Sequence, residues 1–332
     1  MNAGSGALPM IALSRAGRIE SVHGGHAVIC DAAGDVVAEW GAARALIYPR
    51  SACKMVQALP LVESGAAAGL DEARLALACA SHAGAARHVD GVARWLADMG
   101  LDDGALRCGA HAPGDRTERE RLIRAGEAPD QAHNNCSGKH AGFLALAQHL
   151  RAGPEYLEID HPVQRAVQDA FEEITAERSP GWGIDGCSAP NHACTLTGLA
   201  RAMARFAVAR DHGDRREKAM LRLREAMMAR PDLVAGEGRA CTDLMRAAPG
   251  QLAVKTGAEG VYTAILPQAG LGLALKIADG STRAAEAALV ALLAHLGVIE
   301  PAHPAALRRL GGPLLNWRGL EVGRVETLPG FP

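Results

Sequence analysis

Residues 251–280 read QLAVKTGAEGVYTAILPQAGLGLALKIADG. Three short β-like runs alternate there with Gly-rich turns, the pattern of strands joined by tight connections. The same pattern stands near the other end of the chain. RIESVHGGHAVICDAAGDVVAEWG (18–41) reads as a strand, a loop, a strand, a Gly-containing turn and another strand. Between these stretches, from Ser51 to about residue 230, the periodicity is mostly helical. Examples are 85–99, 139–151, 162–177 and 195–210, punctuated by Gly and Pro. A last helix is predicted over 281–297. Strands, helices, strands and a helix predict an α+β fold in which both chain ends complete one antiparallel sheet. The prediction is a single domain over 1–332, with its sheet part at about 10–50 and 250–332 and its helical part at about 51–249. The active site is expected in the crevice between the two parts, where pockets favour junctions.

The bulk properties exclude several functions. The 332 residues are 48% hydrophobic, 22% charged and only 3% aromatic. Lys plus Arg (35) nearly balances Asp plus Glu (37). A basic nucleic-acid surface or polybasic membrane patch is therefore not expected, and little aromatic material exists for stacking bases. The first positive side chain is Arg15, and the most apolar later segment (287–299) carries His295. Neither segment reads as a secretory signal or a bilayer span, so a cytoplasmic location is expected. The eight cysteines should then be reduced, most of them core filler, as for Cys30 and Cys79 in apolar runs.

YPRSACKMVQALP (48–60) places Ser51 and Lys54 three residues apart at a predicted helix start. On a helix that spacing puts both on one face. A serine hydroxyl needs a base to become a nucleophile, and lysine is a base only as the free amine, a form favoured by burial, a neighbouring cation and the helix N-terminus. The plain alternative is a solvated lysine on a helix rim. LAVKTGAEG supplies Lys255-Thr256-Gly257 at a strand end. In penicillin-recognising serine hydrolases S-x-x-K and K-T-G flank one pocket, and the second lysine makes the crevice electropositive. No S-D-N or S-x-N follows in the helical part. ACASHAGAARH (78–88) offers Ser81 and His82 instead, and Ser81 could equally cap the helix at 85–99.

HNNCSGKHAGF (133–143) sets Cys136, Lys139 and His140 on one helical face. GWGIDGCSAPNHAC (181–194) presents Asp185 and Cys187 in a Gly/Pro-rich loop. Two thiols with histidine and carboxylate nearby form a soft-ligand set. The alternative is an Asn-capped helix with an incidental thiol and a turn stabilised by Asp185, since C-x-x-C spacing is absent.

Taken together, YPRSACK, CASHAG, HNNCSGKHAGFLA, IDGCSAPN and VKTGAEGVY resemble the asparaginase II family of rhizobial type, in family order from about residue 15 to 300. The resemblance implies a serine β-lactamase/penicillin-binding-protein-like fold and hydrolysis of L-asparagine to L-aspartate and ammonia. It implies Ser51 as nucleophile with Lys54 as base, and Ser81 with Lys255 as a second pair. It also implies zinc at Cys136, Lys139 and Cys187, with His140 and Asp185 around the substrate, and a homodimer. Arg50 is the candidate partner of the substrate α-carboxylate, and Glu259 joins the substrate-binding set. A penicillin-interactive hydrolase or esterase, or a non-catalytic zinc- or amino-acid-binding protein, would use the same scaffold. Which of Ser51 and Ser81 carries the acyl group stays open at this level.

Overall fold

A computed structural model describes residues 6–332. Strands β1 (Leu8–Arg15), β2 (Arg18–Cys30), β3 (Val36–Trp40) and β4 (Leu46–Ile47) come first. A 3-10 turn, Arg50–Cys53, runs straight into α1 (Lys54–Gln57) and α2 (Leu59–Glu63). Then follow α3 (Glu72–Ala78), α4 (Ala86–Asp98), α5 (Arg116–Ala125), α6 (Ser137–His149) and α7 (Pro162–Thr175). Short strands β5 (Trp182–Ile184), β6 (Pro190–His192) and β7 (Cys194–Thr195) precede α8 (Leu196–Val208), α9 (Arg215–Ala229), α10 (Pro231–Val234) and α11 (Ala240–Ala247). The chain ends with β8 (Ala253–Gly257), β9 (Val261–Leu266), β10 (Leu271–Ile277), α12 (Thr282–His295), α13 (Pro304–Leu307), β11 (Pro313–Leu315) and β12 (Glu321–Thr327). These elements form two compact units. The sheet unit comprises the residues up to Ala52 with Cys194–Val208 and Asp243–Pro332; the helical unit comprises Cys53–Ala193 and Ala209–Thr242.

The α+β architecture is as the sequence predicts, with an antiparallel sheet drawn from both chain ends. Its order is β11-β12-β1-β2-β10-β9-β8, with β3 also paired to β2. The two ends meet where Ile11 pairs with Thr327. Strand β9 is buried along its whole length, which an antiparallel strand allows only when both faces are covered. Helices α8 and α12 both pack on it. The predicted helix at 195–210 therefore belongs to the sheet unit and not to the helical part. Its small residues Ala200 and Ala204 explain why. Gly272 of β10 lies so close to them that any Cβ there would collide with Ala200 O and Ala204 N.

Two further expectations need correction. The loop predicted in the 18–41 stretch does not form, because β2 is continuous through Gly24 and Gly25. Those glycines serve close strand approach instead: a Cβ on Gly25 would lie 2.5 Å from Lys276 O on β10. The last helix is also not the end of the fold, since β11 and β12 follow it.

The helical unit is built around α6, whose side chains from Ser137 to Leu144 are all buried. Gly138 lets α6 touch α3, where an added Cβ would collide with Leu77 O and lie 2.7 Å from Leu77 C. No helix among the described residues is long and apolar enough to cross a membrane. Alanine at 138 would improve helix propensity by about 1 kcal/mol, yet the collision is with backbone. Gly138→Ala is expected to destabilise the protein by about 1–3 kcal/mol, read as a lowered denaturation midpoint in urea.

Candidate active site

Helix α1 begins at Lys54, whose neighbours Met55, Val56 and Leu59 are fully buried. The lysine is drawn in with them and is 1% exposed. Its ammonium group finds three acceptors, all in the helical unit. Nζ donates to Ala80 O, lies 3.0 Å from Ser81 Oγ and 3.0 Å from Cys136 Sγ. A solvated lysine on a helix rim is therefore excluded. Ser81 does not cap α4, because Ala85 occupies the N-cap position.

Cys136 is held from two sides. Asn134 Oδ1 accepts its backbone N–H at 2.8 Å, and Asn135 Oδ1 lies 2.8 Å from its Sγ. Asn134 is itself anchored through Nδ2 to Cys108 O and Gly109 O, each at 2.9 Å. One turn along α6, Lys139 is 3% exposed and its Nζ lies 3.1 Å from Cys187 Sγ. Cys187 comes from the tip of the β5–β6 hairpin, where Asp185 Oδ1 accepts the Gly186 N–H at 2.7 Å and Ser188 takes a left-handed φ of 68°.

The two thiols are hydrogen-bonded to each other and titrate apart. The bond from Cys136, helped by Lys139, holds the Cys187 thiol far below its usual range. The same bond, together with burial, pushes Cys136 well above it. Burial disfavours the Lys139 ammonium, but the Cys187 charge outweighs it and the amine is raised. Burial lowers His140 to about 4, so its imidazole is neutral near pH 7. His140 Nδ1 meets Tyr156 Oη at 2.9 Å, while its Nε2 is buried without a hydrogen-bond partner.

The sheet unit carries the remaining predicted residues. Gly257 at the end of β8 abuts the turn that holds Ser51: a Cβ there would lie 2.6 Å from Pro49 O and 3.1 Å from Ala52 N. Thr263 Oγ1 donates to Ala52 O at 2.9 Å and fixes the same turn to β9. Ser51 is half-buried, and Arg50 just before it adopts a left-handed φ of 51°. Glu259 does the same at 60°, and its Oε1 is 4.0 Å from Arg50 Nη1. Two non-glycine residues held in that region mark a functional constraint more often than an accident. Lys255 is fully buried, with Nζ donating to Thr256 O at 2.8 Å.

The structure therefore brings Lys54, Ser81, Cys136, Lys139, Cys187 and His140 into one network, and Arg50, Ser51, Gly257 and Glu259 into another. Among the described residues no group of three or more His, Cys, Asp and Glu side chains could hold a metal ion, so a metal here would need Lys139 among its ligands. Sequence reading misses Tyr156 and Cys108. The thiol of Cys108 is pushed up to about 12 by burial, and only its place beside an Asn-rich turn could have marked it.

A buried amine against a hydroxyl and a thiol accompanies a match to the L-asparaginase II family model over residues 11–327. The chain belongs to the L-asparaginase II family. Among curated proteins none matches the chain significantly. Among solved structures, Mglu in its native form is similar over 83% of this chain at 15% identity and a TM-score of 0.45. This chain spans 64% of the length of that protein. D-alanine carboxypeptidase AmpC from Burkholderia cenocepacia is similar over 79% of this chain and 91% of its own, at 14% identity and a TM-score of 0.39.

Closure of the strand end onto the turn at 49–52 is tested by Gly257→Ala. Its Cβ would press on Pro49 O, so the substitution is expected to cut amide hydrolysis by about tenfold or more, as small misplacements do. Initial rates of ammonia release measure it.

Proposed function

We propose that the protein is an L-asparaginase, hydrolysing L-asparagine to L-aspartate and ammonia through a serine acyl-enzyme with lysine as general base. The observation that carries this reading is the buried Lys54 amine 3.0 Å from Ser81 Oγ. A buried amine kept against a hydroxyl has the arrangement that proton transfer from that hydroxyl needs.

In this reading Lys54, as the free amine, takes the proton of Ser51, which precedes it by three residues, and Ser81 relays protons beside it. The Ser51 oxygen attacks the side-chain amide carbon of asparagine, forming a C–O bond. Backbone N–H groups near the 49–52 turn and β8 are candidates to steady the oxyanion. The lysine proton passes to the departing nitrogen as the C–N bond breaks, releasing ammonia. Water then cleaves the β-aspartyl ester and returns the proton to serine. Lys255 raises the local potential, Arg50 takes the α-carboxylate and Glu259 faces the α-ammonium. Asp185 and His140 line the substrate's surroundings.

The donor chemistry also fits zinc. Two thiols, an amine 3.1 Å from one of them and the buried Nε2 of His140, which lacks a hydrogen-bond partner, are donors of the soft and borderline kind zinc takes. Cys136, Lys139 and Cys187 would hold it. When bound, zinc would supply a Lewis-acid hold on a substrate oxygen. Its ligands must shed protons to bind, so affinity should weaken as pH falls.

Three variants test the catalytic assignment. Ser51→Ala is expected to abolish ammonia release from asparagine with the fold intact; near-wild-type turnover would move the nucleophile to Ser81. Lys54→Met should lower kcat by roughly 10²–10⁴-fold and also lower the thermal midpoint, since it leaves the buried Ala80 O, Ser81 Oγ and Cys136 Sγ without their lysine partner. Faster hydrolysis of nitrocefin than of asparagine would favour the penicillin-interactive alternative. Independently of activity, Cys187→Ala should lose zinc on dialysis while wild type retains it, as read by elemental analysis.

A further inference from the structure

Ser81 is followed by a buried imidazole that neither the hydrolysis nor the metal reading uses. His82 is 2% exposed and His88 is fully buried. Their rings stack with centroids 4.8 Å apart and planes 6° from parallel. The hydrogen bonds fix both tautomers. Gly84 N–H can only donate, so His82 Nδ1 accepts from it at 3.1 Å and the proton sits on Nε2. That Nε2–H donates to Ser137 Oγ at 2.9 Å, and Ser137 passes its own proton to Ala132 O at 2.8 Å. By the same logic His88 Nδ1 accepts from Ala85 N–H at 3.1 Å and Nε2–H donates to Asp232 O at 2.9 Å. Burial, then each ring's cationic neighbours, holds both imidazoles below their usual range.

The backbone around Ser81 is threaded between two segments. Ser81 N–H donates to Val234 O at 2.9 Å, His82 N–H to Asn135 O at 3.1 Å and Ala83 N–H to Ala235 O at 2.8 Å. The His82 side chain links this strip to α6 through Ser137. Its partner Ser137 is the residue after Cys136 and two before Lys139. The bond therefore ties the neighbour of one Lys54 acceptor, Ser81, to the neighbour of another, Cys136.

We infer that His82 is a positioning residue: acting through Ser137 and braced by the His88 ring, it sets the register between the Ser81 loop and the start of α6, and so the geometry in which Lys54 meets Ser81. The inference rests on the asparaginase reading for its kinetic consequence, but not for its structural one. A neutral donor of fixed tautomer is what the position requires. Leucine would fill the space without the bond, whereas glutamine can carry an N–H to where Nε2 stands.

The test uses the full-length enzyme. His82→Leu and Ser137→Ala are each expected to lower kcat for asparagine about tenfold, with KM changed less than about twofold. His82→Gln should recover most of the loss, and the double variant His82→Leu/Ser137→Ala should be no worse than His82→Leu alone, because the two act through one bond. Losses that multiply in the double variant, or a glutamine variant as poor as leucine, would overturn the inference. If His82→Leu fails to fold, Ser137→Ala and His82→Gln decide in the same way. Backbone hydrogen exchange at residues 81–83 separates the two layers: faster exchange in Ser137→Ala supports the positioning role whatever the enzyme hydrolyses, and unchanged exchange removes it. Wild type that releases no ammonia from asparagine would sink the asparaginase reading alone.

Discussion

Much of the helical unit is arranged around the burial of one amine. Taking an ammonium group out of water costs several kcal/mol unless every proton finds an acceptor. For Lys54 the acceptors are a carbonyl at the end of α3's loop, a hydroxyl one residue on, and a thiol at the start of α6. None of these can shift without leaving a buried proton unpartnered. The α3–α6 contact through Gly138, the twin asparagines before Cys136 and the threaded strip at 81–83 are the means by which three chain segments stay within reach of one nitrogen.

The sulfur cluster beside that amine works by uneven sharing of protons. Cys187 is driven toward thiolate while Cys136 keeps its proton, and Lys139 stays cationic against the thiolate. Burial makes such pairing strong, since the same charges on the surface would be screened. His140 stays neutral with one nitrogen committed to Tyr156, itself fixed by Arg107 N–H at 2.8 Å.

The sequence made the fold class legible because hydrophobic period changes twice along the chain and the K-T-G strand closes the pattern. It also exposed Lys54, Cys136 and Lys139 through helical spacing, and Cys187 through its Gly/Pro-rich loop. The contact between Lys54 and Ser81 was hidden, since nothing local joins residues 27 apart in number; spacing instead suggests pairing Lys54 with Ser51. Gly24 and Gly25 misled for a physical reason, as glycine signals both turns and close strand approach. Strand β11 has only three residues, exposed at both ends and half-buried at the centre, too little for periodicity to register. The His82–His88 stack is likewise a tertiary fact, with each histidine unremarkable in its own segment.

The closing of the sheet by β12 against β1 also governs how the protein must come into being on the ribosome. Ile11 finds Thr327 only after nearly the whole chain has emerged, and β2 waits for β10. The helical segments between them can condense early, while the first strands remain with open edges throughout translation. Such long-range pairing is slow and leaves nascent chains exposed to mis-association. One sheet drawn from segments some three hundred residues apart thus ties the completion of the fold to its latest pairing, β1 with β12.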